Sequence, residues 1–161
     1  MSQVIAAADL STEIVQNQFR APLQTAADDS NVPLTDPRAS KRDDTDPEIP
    51  PFVLPSFPDQ DPLYPHLIVS EADDQAERPD QRADLHQHTY GVAVTIYARS
   101  TTQLNKLTDG VRDWFEDQID TLEDNGFTDP MIAGGGDVPT WEDDPMVEQR
   151  ELRFEGEVYT S

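Results

Sequence analysis

Cysteine is absent from the 161 residues of this chain. Disulfide frameworks, thiolate nucleophiles and cysteine zinc sites are therefore excluded, while the redox compartment stays open. Long apolar runs are missing as well: none reaches ten residues, against the roughly 20 a membrane-crossing helix needs. The first ten residues carry no basic segment and only a short apolar run at 4–8, so no signal peptide is expected. Basic charge is scarce, with Lys41 and Lys106 the only lysines. Without a basic stripe to neutralise phosphates, direct nucleic-acid binding is not expected. These absences together predict a protein with no membrane partner, made and kept inside a cell or packaged into a particle assembled there.

Acid is what the chain has in excess. It holds 33 Asp and Glu against 11 Lys and Arg, a formal net charge of −22 and a pI near 4.1. In dilute buffer such self-repulsion opposes compaction, whereas at molar salt the Debye length falls to about 3 Å and the repulsion is screened. Aspartate outnumbers glutamate, and the acids are scattered rather than gathered in a tail. This pattern reads as adaptation to concentrated salt. A disordered solvating protein and a nucleic-acid mimic are the alternatives, and the alternation of aromatic and β-branched residues in the C-terminal half weighs against both. The length suits one domain, but 35% hydrophobic residues and 14 prolines imply that the folded part is smaller than the chain.

Apolar periodicity divides the chain into a helix within 1–25, a Pro- and Asp-rich extended arm or linker over 26–51, and an α+β domain over 52–161. In the first part, Ser11 or Asp9 can cap a short helix running to Arg20, with Leu10, Ile14, Val15 and Phe19 at i, i+4, i+5 and i+9. Such a helix is marginal unless it docks, on its own domain or on a neighbouring subunit. Order resumes at Phe52, and 66–69 has the β-branched density of a strand. The charged stretch 71–84 reads as a solvated loop. Over 89–99, Tyr90, Val92, Val94 and Ile96 share the face that suits a core, opposite Gly91, Ala93, Thr95 and Tyr97.

Ser100, Thr101 or Thr102 can cap the strongest helix, 102–124, whose apolar stripe is Leu104, Leu107, Val111, Trp114, Phe115, Ile119 and Leu122. Asn125-Gly126 supplies a left-handed stop. A short strand at 131–133, a flexible turn at Gly134-Gly135-Gly136 and an irregular connection with Trp141 follow. The last strand, 147–160, sets Leu152, Phe154 and Val158 against Glu151, Arg153, Glu155 and Glu157. The expected architecture is an antiparallel sheet of about four strands packed against one long amphipathic helix plus a short N-terminal helix.

Few of these residues invite chemistry. His86 and His88, two apart in an extended segment, can begin a metal site, but edge-strand polar residues fit the pattern as well. Paired carboxylates such as Asp28-Asp29, Asp73-Asp74 and Asp143-Asp144 read as solvated surface rather than as an acid/base pair. The triple glycine lacks the lysine and frame of a phosphate loop, and no serine sits in a nucleophile elbow. No catalytic residue, metal or cofactor is expected. Phe52, Phe57 and Tyr64, spaced by prolines, would be costly to leave in water, and either pack on a neighbouring subunit or fold back onto their own domain.

The order of these pieces resembles the tail terminator, or tail completion, proteins of long-tailed viruses. The proline-rich entry into Leu63-Tyr64-Pro65-His66-Leu67-Ile68-Val69, an acidic insertion, the strand from Tyr90 to Arg99, the capped helix with Leu104, Leu107, Val111 and Trp114, and a strand around 152–159 carry the resemblance. It implies a structural virion protein and not an enzyme, located in the tail or neck and assembled in the host cytoplasm. Such a protein forms a homo-oligomeric ring, sixfold, at the head-proximal end of the tail tube, ending tube growth and joining tube protein to neck or connector protein. With the acidity, the host would be a halophilic archaeon. Phe52, Phe57, Tyr64, Trp141, Arg150 and Arg153 are the candidate interface residues. The N-terminal extension of about fifty residues departs from the family pattern. Rival readings are another neck or head-tail connector subunit, a halophilic metal-binding or enzymatic domain, and a free-standing regulatory binding module.

Overall fold

The computed structural model describes residues 4–5, 9–28, 53–55, 65–72, 75–76, 86–138 and 147–160. They form an α+β layer in which a mostly antiparallel sheet packs its apolar face against a long helix and a shorter N-terminal one. The two long central strands are β5 (His86–Ala98) and β7 (Glu148–Thr160), paired antiparallel along their whole length from His86↔Thr160 to Ala98↔Glu148. On the far edge of β5 lie β3 (His66–Glu71) and then β4 (Gln75–Ala76), both antiparallel to it, with β2 (Val53–Leu54) parallel to β3. On the far edge of β7 lie β6 (Thr128–Val138), antiparallel, and β1 (Val4–Ile5), parallel at Tyr159 and Thr160. The helix α2 (Thr101–Asp124) carries the chain from β5 to β6, and β7 inserts between those two strands. This is a split β-α-β arrangement.

Alternation in β5 decides which face is buried. Tyr90, Val92, Val94, Ile96 and Ala98 are fully buried and join Leu152, Phe154 and Val158 of β7 in one core, as period-two patterning requires of a sheet covered on one side. Against that face α2 lays Leu104, Leu107, Val111, Trp114, Phe115 and Leu122. Its ends are set by local chemistry. The Ser100 hydroxyl accepts the Gln103 N–H at 3.2 Å, and Gly126 adopts φ 96°. With Phe127 N–H bonded to Leu122 O at 2.9 Å and Gly126 N–H to Glu123 O at 3.2 Å, the stop is a Schellman motif. Phe127 and Leu122, its two apolar ends, are both buried.

The N-terminal helix differs from the expected one in length, cap and geometry. Helix runs past Arg20 into α1 (Ala21–Asp28), and no side chain caps its start at Leu10. Ser11–Arg20 is a π-helix, closed by Ala21 N–H to Gln16 O. The apolar spacing explains the wide turn. Leu10, Ile14, Val15, Phe19 and Leu23 would fan across about 220° of an α-helix at about 100° per residue. At about 4.4 residues per turn the four from Leu10 to Phe19 gather within about 80°, and Leu23, about one α-turn further on in α1, falls beside Phe19. All five are buried, and Phe19 sits among Trp114, Phe115, Phe127 and Phe154 at centroid distances of 5.7, 6.5, 5.6 and 5.7 Å. The helix therefore docks on its own sheet, the bland one of the two expected alternatives, because the central aromatic of the core comes from it.

Two further corrections concern strands. Gly134-Gly135-Gly136 is not a turn: it lies inside β6, paired to Arg153, Leu152 and Glu151 of β7. Bulges between Thr128 and Met131 and between Ile132 and Gly134 re-aim β6, and Asp129 at φ 50° sits at the first of them. Within the expected acidic loop, Ala72 N–H bonds Gly91 O at 2.9 Å and β4 pairs with Thr89 and His88, so the β5 ladder continues where a solvated loop was expected.

Candidate interaction surface

One face of the sheet is committed to the core, and the other is partly exposed along β7 but buried toward β3. On the face away from the described helices, β7 presents Glu151, Arg153, Glu155 and Glu157, all half-buried. Arg153 Nε lies 3.3 Å from Glu155 Oε1, and its guanidinium crosses near Gly91, whose missing side chain leaves the space. Toward β3 this face turns apolar. His66, 1% exposed, stacks on Tyr97 at 4.9 Å and 19°, beside Ile68 and Ala93.

The two edges are unlike. At the β2–β3 edge, side chains of the N-terminal helix take up backbone groups: Gln24 Oε1 accepts the Val53 N–H at 2.9 Å, and Arg20 Nη2 donates to Val69 O at 3.0 Å. Burial lowers the pKa of Arg20, but a guanidinium starts so high that it stays charged. The β6 edge has no such cover among the described residues. Met131, 56% exposed, is the large apolar side chain left in water among the described residues. Ala133 and Gly134 are exposed, and a side chain built on Gly134 would meet nothing within 4 Å. Residues 131–136 form a run of six without charge. Asp129 and Pro130 blunt only the start of this edge, by bulge and missing N–H.

Of the expected interface residues, Phe52, Phe57, Tyr64 and Trp141 lie outside the described residues. Arg150 is on the core side of β7 at the rim, where its Nη1 donates to Asn105 Oδ1 at 2.8 Å and Thr108 Oγ1 at 3.3 Å, tying the sheet to α2. Arg153 is on the opposite face, so the two arginines do not share a surface. The backbones of His86 and His88 pair with Thr160 and Val158; their side chains are outside the description. Among the described residues, no three His, Asp or Glu gather as metal ligands, and no helix is long and apolar enough to cross a membrane. The open β6 edge escaped sequence reading because three glycines give no side-chain period. The uncharged run in so acidic a chain was the signal available.

No family model matches the sequence, and no curated protein matches it. Among solved structures, a chain from a structure titled "Virion of native gene transfer agent (GTA) particle" aligns with 11% identity and a TM-score of 0.43, over 91% of this chain and 98% of that one. At that level of similarity, function has to be argued from this chain's own surfaces.

Proposed function

We propose that the protein is a structural subunit of a virus-like particle, forming a ring at the head-proximal end of a tail tube, where it ends tube growth and joins tube to neck. The order of elements that resembles tail terminators supports this reading. The observation that carries it is the inequality of the two sheet edges. One edge is taken up by Arg20 and Gln24, whereas the other, among the described residues, is open, uncharged and carries exposed Met131. A contact between unlike surfaces of successive copies is heterologous, and heterologous contacts close into rings when the rotation permits. The charge of −22 sets the condition: copies approach only where the repulsion is screened, in concentrated salt. Phe52, Phe57, Tyr64, Trp141 and Arg153 remain its proposed contact residues, with tube and neck proteins as partners, and Arg150 steadies the strand that carries Arg153.

Light scattering in about 2 to 3 M salt and again in dilute buffer tests the reading. Six copies of the 18.0 kDa chain would scatter as a particle of about 108 kDa in high salt and fall apart in dilute buffer. A folded monomer under both conditions overturns it.

A further inference from the structure

We propose that the outer edge of β6, residues 131–136, receives residues 38–42 of a second copy as an added strand. This rests on the ring reading and names the contact that would build it.

Among the described residues β6 pairs with β7 alone, and a strand edge left open in this way is the standard template for strand addition. Its exposure is direct: Met131, Ala133 and Gly134 face solvent, and nothing lies within 4 Å of a side chain at Gly134. Behind this edge lies a half-buried carboxylate border on β7. Glu151 and Glu155 of β7 stand in register with Gly136 and Met131, and Asp129 is exposed at the start of the strand. Arg153 is the described cation set among them. An incoming strand should therefore be short, extended, small in its middle and basic at its ends.

This chain contains such a segment. Arg38-Ala39-Ser40-Lys41-Arg42 holds three of the 11 cations within five residues and no acid. No other part of the sequence is as basic. The segment itself lies outside the described residues, but both flanks of its stretch are placed. Residues 29–52 leave from Asp28 and re-enter at Val53, next to the edge that Gln24 covers. About twelve residues on either side of Ser40 span up to about 40 Å when extended.

The donor thus departs from the β2 edge, while the acceptor is the β6 edge on the opposite side of the sheet. Copies set side by side bring one copy's donor edge to the next copy's acceptor, the head-to-tail polarity of a ring. Main-chain hydrogen bonds supply the affinity. The basic ends set the register and select this segment over the acid that surrounds it where the added strand covers their contacts with the half-buried carboxylates of β7, because partly buried pairs are screened much less than exposed ones.

Because the chain has no cysteine, introduced thiols report the contact without background. Ser40→Cys and Met131→Cys are made singly and together, and far-UV circular dichroism verifies each fold. In about 2 to 3 M salt with mild oxidant, a mixture of the two single variants is expected to give a covalent pair, and the double variant a ladder of joined copies. The triple variant Arg38→Glu, Lys41→Glu, Arg42→Glu should need at least about tenfold more protein to assemble, roughly the loss of one good charge-assisted contact. A ring by light scattering without intermolecular cross-links overturns this contact and leaves the ring reading standing. Cross-linking within single chains, with no mixed pair, assigns the segment to its own β6 and also overturns it. Folded monomer at every salt concentration removes both.

Discussion

Two glycines in neighbouring strands show how local space sets the cost of a methyl group. At Gly156 in β7, an added Cβ would stand 2.8 Å from the Phe127 ring, which is fully buried behind the Schellman stop. The ring has no free direction, so Gly156→Ala should cost about 1–3 kcal/mol by overpacking. At Gly134 in β6 the same atom enters open space. Gly134→Ala should therefore leave stability within about 0.5 kcal/mol. Denaturant unfolding of the two variants under one salt condition checks the contrast, and equal losses would mean that β6 is not an open edge. By pattern Gly134 fell in an expected turn and Gly156 in the last strand; the structure puts both in paired strands, and only the approach of Phe127 makes one of them irreplaceable.

The N-terminal helix gives the sharpest element-scale test. Its core residues repeat at a spacing that suits a π-helix, and the structure adopts one over Ser11–Arg20. Deleting Asn17, an exposed residue, would shorten the spacing to Phe19 and Leu23 by one and bring all five apolar residues within about 140° of an α-helix. The deletion is expected to cost no more than about 1 kcal/mol, since it trades the wide turn for ordinary helix pitch. Phe19→Ala, which empties the centre of the aromatic cluster, should cost about 3–5 kcal/mol. Thermal or denaturant unfolding of both variants decides: if the deletion proves as damaging as the truncation, apolar spacing is not what selects the wide turn. The i, i+4, i+5, i+9 pattern was legible in the sequence, but a helix was inferred without its pitch. Pitch is settled by which residues meet Trp114 and Phe115, a partner surface 95 residues away. For α2 the reverse holds: stripe and Gly126 stop were local and readable, and the cap was narrowed to three neighbours, of which the structure uses Ser100.

For the whole molecule, charge and burial act in opposition. The core is joined by Leu10, Phe19, Tyr90, Trp114 and Phe154, while α2 turns Asp109, Asp113, Glu116, Asp117, Asp120 and Glu123 outward with few cations among them. Repulsion on that scale is relieved by screening. The thermal midpoint should accordingly rise, on the order of 10 °C, between dilute buffer and about 3 M potassium chloride. A midpoint indifferent to salt would detach the acidity from salt adaptation and weaken the condition placed on ring assembly.

By itself the sequence determined the charge, the exclusion of thiol chemistry, the identity of the long helix and the buried face of the two central strands. These follow from composition and from periods of two and 3.6 residues, which depend on nearest neighbours along the chain. Only the tertiary structure decided that β7 inserts between β5 and β6, that three glycines form a strand, that the N-terminal helix belongs to its own core and that the two sheet edges are unlike. Each of these depends on which distant segment supplies the hydrogen-bond partner or the apolar contact. A linear pattern carries no signal for that choice where side chains are missing, as at Gly134, or where two docking sites would bury the same stripe.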